Sequence, residues 1–158
     1  MPTRTGARAR TTYFPRLAAE RPDIALCRAS TAVARAAEAA AEQHGLGVGH
    51  HLVLKMLAAV GPCSQQVLSE ELRIDRSVMV GIADELEKAG YVRRERDAQD
   101  RRAYAVTITT PGRRALTRAE KGVPAFLDQT FAALDPAERD QLTALLGKLL
   151  ATDSTATD

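Results

Sequence analysis

Arginine and histidine are the residues of this 158-residue chain best suited to do chemistry. Arginine supplies 18 of the 22 cationic side chains and gathers in two stretches. The first is Arg4, Arg8, Arg10, Arg16 and Arg21, opposed within residues 1–21 by Glu20 alone. The second is Arg93, Arg94, Arg96, Arg101 and Arg102, interleaved with Glu95, Asp97 and Asp100. A guanidinium presents a planar fork of donors that fits phosphate and carboxylate oxygens. Residues 1–22 therefore read either as a solvated, flexible tail or as an arm that gains affinity for phosphate by counterion release. His44, His50 and His51, with Glu38, Glu42 and Cys63 near in sequence, raise the question of a metal. Their spacing matches no closed tetrahedral set, and adjacent helical residues point about 100° apart. No metal and no other cofactor is expected. Cys27 and Cys63 are the only thiols, too few for a disulfide scaffold or a four-Cys zinc site. With no visible group to lower its pKa, Cys27 reads as a small buried hydrophobe, and Cys63 as inert. No activated nucleophile, phosphate-binding glycine loop or paired-carboxylate site stands out, so an enzyme is not expected.

The elements that must carry these residues follow from composition and period. At 45% hydrophobic and 27% charged, with a net charge of +2, the chain reads as one mostly helical, soluble, cytoplasmic domain. No apolar run is long enough to span a bilayer, and the N-terminus lacks the apolar core of a secretory signal. A domain over 23–151 is predicted, followed by a flexible tail at 152–158. An Ala-rich helix over 24–44 starts after Pro22-Asp23 and stops at Gly45. A second helix covers 49–60, with Leu52, Met56, Leu57 and Val60 at helical spacing. Ser64 can cap a third through Leu72, burying Val67, Leu68 and Leu72. Asp75 can cap a fourth through Ala89, with Val78, Ile82, Leu86 and Ala89 on one face.

The period then shifts from 3.6 to 2. Residues 91–95 and 103–109 read as strands joined by a charged loop over 96–102. Thr110-Pro111 restarts a helix that can reach Leu134, which Pro124 should kink or split. Asp135-Pro136-Ala137-Glu138 opens a last helix whose Leu142, Leu145, Leu146 and Leu149 form an apolar stripe. The two short helices joined by Arg73-Ile74-Asp75 have helix-turn-helix spacing. The hairpin after them completes a winged helix, in which the second helix enters the DNA major groove and the hairpin tip reaches backbone or minor groove. The fold class expected is mainly α with a small β-hairpin.

From about Leu54 to Gly112 the sequence resembles the MarR family of bacterial transcription regulators. The matching residues are Gly61-Pro62, Ser64-Gln65, Leu68, Leu72, Asp75-Arg76-Ser77, Asp84, Leu86 to Gly90, Val92, Arg94, the wing from Asp97 to Ala103, and Ile108 to Gly112. The resemblance implies a homodimer, with a winged helix over about 49–109 set between dimerisation helices at 23–44 and 110–151. It implies a ligand-responsive repressor acting on a pseudo-palindromic operator in double-stranded DNA. Ser64 and Gln65 would contact phosphate at a helix N-terminus. Arg76, Ser77 and Val80 would face base edges. Arg102 would enter the minor groove, oriented by Asp100, while Arg96 and Arg101 would meet phosphate. Asp100 and Arg102 also read as a surface ion pair holding the hairpin, and the two roles are compatible.

The family's effectors are small aromatic or anionic molecules bound in a crevice that Cys27 or His51 could line. The tyrosines that activate a sensing thiol in one branch of the family are absent here, at Ala41 and Val48. Two departures stand on the reading helix: Gly81 replaces a larger polar or basic residue, and Glu85 a basic one. With Glu70, Glu71, Asp84 and Glu87, they leave residues 61–109 at a net charge of −1. That acidity favours the alternative expectation, a winged helix used for protein–protein contact with DNA affinity lost.

Overall fold

The computed structural model describes residues 5–96 and 104–153, which form two compact units, Met1–Val48 and Gly49–Asp158. In the first unit α1 (Thr5–Glu20) leads into α2 (Pro22–His44). Within the basic arm expected over 1–22, residues Thr5–Glu20 are helical. Ala, Leu, Arg and Glu are good helix formers, and they carry α1 through Pro15, which stands inside it. Pro22 takes the first position of α2, where a missing N–H is harmless, and Arg21 grips Asp23 at 2.7 Å. Gly45, at φ 67°, ends α2 in the left-handed conformation that glycine tolerates. The guanidinium of Arg28 lies 5.7 Å from the Phe14 ring centroid, tying α2 to α1. No residue of α2 is buried, and Cys27 is exposed. The buried role expected of Cys27 is therefore corrected.

The second unit begins with α3 (Val48–Val60) and β1 (Cys63–Ser64). Helices α4 (Gln65–Leu72) and α5 (Arg76–Lys88) follow, then β2 (Val92–Arg96), β3 (Tyr104–Ile108), α6 (Thr110–Glu120), α7 (Val123–Thr130) and α8 (Pro136–Asp153). The strands form an antiparallel sheet in the order β1-β3-β2. Cys63 pairs with Val106, and Val92 through Arg96 pair with Ile108 back to Tyr104. The two-residue strand β1 was not anticipated. It carries no periodicity of its own and exists only because β3 offers it an edge.

The core is built from Val53, Leu54 and Leu57 of α3, Leu68 of α4, and Met79, Ile82, Ala83 and Leu86 of α5. Val92, Val106 and Ile108 of the sheet and Ala115 and Ala119 of α6 complete it. Each fully buried Leu or Met there contributes roughly 1.5–3 kcal/mol relative to exposure. The buried stripe of α5 is turned from the expected one. It runs Met79-Ile82-Ala83-Leu86, leaving Val78 exposed by 53% and Ala89 exposed. Val67 is likewise exposed by 40%. An apolar residue beside a stripe is not necessarily in it; packing partners decide.

The start of α6 is locked to the turn after α5. The Thr109 hydroxyl donates to Gly90 O at 2.6 Å and accepts from the Gly112 N–H at 3.1 Å. A Cβ on Gly112 would lie 2.1 Å from Tyr91 O, so only glycine fits there. Pro124 splits the expected 110–134 helix, sitting in the first turn of α7. Asp135 and Glu138 cap α8 reciprocally, each side chain accepting the other's backbone N–H at 2.9 Å. Among the described residues no helix is long and apolar enough to cross a membrane.

Candidate nucleic-acid interface

The turn between α4 and α5 sets the geometry of the site. Arg73 ends α4 at φ 51°, and the buried Ser69 hydroxyl donates to Ile74 O at 2.5 Å, pinning the bend. Asp75 then caps α5: its Oδ1 accepts the Ser77 N–H at 2.8 Å and the Ser77 hydroxyl at 2.5 Å. The side-chain bond and then the backbone bond from Ser77 hold the Asp75 carboxyl below its usual range. This cap presents Arg76, Ser77 and Val80 on the side of α5 turned away from the core. The Arg76 side chain is 74% exposed and meets Glu70 only at 3.7 Å, a loose surface pair. Val80 is 49% exposed. On the same side, a Cβ at Gly81 would meet nothing within 4 Å, so this face is open where a larger side chain would fit.

Ser64 caps α4, its hydroxyl oxygen accepting the Val67 N–H at 3.2 Å. Gln65 follows, and its amide oxygen accepts from Arg94 Nε at 3.1 Å. Arg94 is the residue whose role the sequence did not disclose. Its guanidinium also binds Asp84 and Glu87 of α5, and its backbone N–H donates to Glu87 Oε1 at 3.0 Å. One side chain on β2 thereby joins α4, α5 and the hairpin. Partial burial by itself lowers the Arg94 pKa, but the bonds to Asp84 and Glu87 outweigh it and raise the value. The i, i+3 spacing of Asp84 and Glu87 was a visible signal for a shared cation, but it did not name which arginine.

Glu85, the third carboxylate of α5, lies with its Oε2 2.7 Å from His50 Nε2. Each of the three carboxylates of α5 thus has a side-chain partner, Arg94 or His50. His51 Nε2 and Lys55 Nζ both lie 2.7 Å from Glu120 Oε1, linking α3 to α6. The bonds from Lys55 and then His51 hold the Glu120 carboxyl below its usual range. Among the described residues no group of three His, Cys, Asp or Glu is placed to hold a metal.

Arg96 stands at the end of β2, exposed, with its guanidinium 5.9 Å from the Tyr104 ring centroid. Asp100, Arg101 and Arg102 lie outside the described residues. Cys27 and His51, either of which could line an effector crevice, fall in different units. A concavity of about 650 Å³ along α2, lined by Ser30, Thr31, Ala34, Arg35, Glu38, Ala39 and Glu42, includes neither.

A capped helix pair with an exposed second-helix face, followed by a two-stranded wing, defines a winged helix-turn-helix protein. The MarR family profile matches residues 44–103. A putative transcriptional regulatory protein for the hcr operon of Thauera aromatica is 37% identical over 111 residues, 70% of this chain and 66% of that relative. Among solved structures, Bordetella bronchiseptica BpsR, whose DNA binding is regulated by 6-hydroxynicotinic acid, superposes with a TM-score of 0.71 at 27% identity. That match covers 78% of this chain and 94% of BpsR. CouR from Rhodococcus jostii RHA1, bound to p-coumaroyl-CoA, also gives a TM-score of 0.71 at 27% identity, covering 83% of this chain and 92% of CouR. The chain belongs to the MarR family of winged-helix transcriptional regulators.

Proposed function

We propose that this regulator is a homodimeric, ligand-responsive repressor that reads a pseudo-palindromic operator with one winged helix per subunit. The observation that carries this reading is the exposed Arg76-Ser77-Val80 face of α5, fixed by the Asp75 cap and free of packing against the core. An arginine at the start of a reading helix can bind a guanine bidentately, a contact worth about 1–3 kcal/mol of discrimination. Ser64 and Gln65 meet phosphate through the donors their caps leave available. Arg96, Arg101 and Arg102, with Asp100 orienting Arg102, carry the wing contacts.

The dimer reading rests on unspent apolar surface. Leu145, Leu149 and Leu150 of α8 are 50%, 57% and 63% exposed, and α2 buries nothing. A second copy covering these helices, within 23–44 and 110–151, removes that surface from water. The effector is a small aromatic or anionic molecule, the chemistry of the compounds named with BpsR and CouR. Exposed Cys27 on α2 or half-buried His51 on α3 is assigned to its surroundings. The effector acts by its differential affinity for two dimer states whose half-site spacing fits or misses the operator. Against the protein-contact alternative stand the exposed Arg76 and Ser77 at the start of α5 and the pairing of Arg94 with Asp84 and Glu87.

The test is fluorescence anisotropy with DNA from the gene's own upstream region, repeated across salt concentrations. Specific binding that Arg76→Ala and Arg102→Ala abolish supports the reading. Binding no tighter than to unrelated DNA contradicts it.

A further inference from the structure

We propose that the outer face of α6 is a binding site for a small phosphate-bearing molecule with at least two negative charges. Thr110, Arg113, Arg114, Thr117 and Arg118 line a concavity of about 370 Å³ there, and all five are exposed. They recur at helical spacing opposite Gly112, Ala115 and Ala119, the buried side of α6. The core does not need them.

These arginines are placed against the helix's own electrostatics. Arg113 closes the first turn and Arg114 follows it, at the end where the helix dipole favours anions, and no acidic residue stands in that turn to offset them. Arg114 and Arg118 are like charges at i, i+4, an arrangement that destabilises a helix. Among the described residues none of the three has a carboxylate within salt-bridge distance. Glu120, the carboxylate of α6 itself, is engaged by Lys55 and His51. Unfavourable local choices that packing does not explain concentrate at functional sites.

A bound polyanion resolves all three conflicts at once. Guanidinium forks match phosphate oxygens bidentately. One carboxylate could satisfy only part of a three-arginine set, hence the requirement for two or more charges. The Thr117 hydroxyl is turned to Arg113 O at 2.9 Å, which leaves Thr110 as the neutral donor facing the concavity. Duplex DNA fits less well. The five residues of β3 span about 17 Å between the hairpin tip and the start of α6, so the two lie at opposite ends of the hairpin. The inference does not depend on the DNA reading.

The test is calorimetric titration of the full chain, without DNA, with ADP and with inorganic pyrophosphate at low salt. Saturable binding is expected, weakened about tenfold or more by Arg114→Gln or Arg118→Gln, each removing a charge-assisted contact. Arg35→Gln on α2, which removes the same charge in the other unit, should change it less than about twofold. Without ligand, Arg114→Gln should melt no lower than the parent protein, because a repulsion is relieved, and it should lose the melting shift produced by ADP. The proposal is overturned if neither probe saturates, or if Arg35→Gln weakens binding as much as Arg114→Gln. It is equally overturned if the α6 variants weaken DNA binding while leaving ADP and pyrophosphate titrations flat, since the patch would then serve the duplex.

Discussion

Arg94 of β2 and Asp84 of α5 are joined by an ion pair whose guanidinium also reaches Glu87 and Gln65. A charge on β2 therefore ties down α5 and offsets one of the two carboxylate charges it pairs with. Arg94 is 23% exposed, Asp84 59% and Glu87 40%, so water screens the pairs and their contribution lies well below that of a buried triad. Arg94→Gln should destabilise the protein by about 1–2 kcal/mol in urea denaturation. It should also weaken DNA binding at every salt concentration. Adding Asp84→Asn and Glu87→Gln should recover most of the lost stability, the signature of uncompensated charge. If the triple variant is no more stable than Arg94→Gln, the loss comes from packing of the side chain instead.

Two glycines should respond in opposite directions. Gly112→Ala drives a methyl into Tyr91 O and should lower stability by about 1–3 kcal/mol or more. Gly81→Ala enters open space on an exposed helix and should raise stability by up to about 1 kcal/mol. Thermal melts of both variants check this pair. Gly81→Lys should further add about one phosphate contact, steepening the salt dependence of DNA binding by roughly 0.9 in log–log slope.

Acid should act through Glu120. Its carboxyl is held below the usual range near 4.3 by Lys55 and then His51, so the native state binds the proton less readily than the unfolded chain. The stability this provides is complete above the unfolded value and is lost as pH falls through the lower folded value. Asp75, held down by Ser77, contributes in the same direction. Melting temperature should fall from about pH 5 toward pH 3, and Glu120→Gln should flatten that fall. An unchanged pH profile in Glu120→Gln would remove the link between α3 and α6 from the account.

The apolar face of α8 should govern assembly. Leu145 and Leu149 are half exposed within one chain, so substitution by Glu barely disturbs the fold of a monomer. Leu145→Glu and Leu149→Glu together should raise the dimer dissociation constant at least ~100-fold, because charges then enter an apolar interface. Light scattering reads the outcome directly. A parent protein with the mass of one subunit would contradict the dimer.

Much of this arrangement was legible in the residues because it depends on local chemistry. Ser64, Asp75, and Asp135 with Glu138 are capping signals a few residues long, and each caps the helix expected of it, whereas α6 is capped by Thr109, one residue before the expected Thr110-Pro111. The hairpin pairing followed from the alternation through Val106 and Ile108. What escaped was non-local. The partners of Arg94 lie on other elements, and β1 exists only against β3. The α5 stripe was misjudged at Val78 and Ala89 because apolar side chains on both flanks of a stripe fit the same period. Composition did not disclose the helix α1 within the expected arm, although arginine is a good helix former. Cys27 seemed buried because a small apolar-like side chain in an Ala-rich helix usually is, yet α2 has no buried residue.

The central claim is that the exposed start of α5 reads base sequence while the wing anchors the protein to the duplex. The most direct measurement is the affinity of the parent protein, Arg76→Ala and Arg102→Ala for upstream DNA and for unrelated DNA, by anisotropy across salt. The account predicts that Arg76→Ala lowers the ratio of specific to non-specific affinity by about 10-fold or more, from one lost bidentate contact. Affinity of Arg76→Ala for unrelated DNA should fall much less. An unchanged ratio in Arg76→Ala, or a parent protein that binds both DNAs equally, would contradict it.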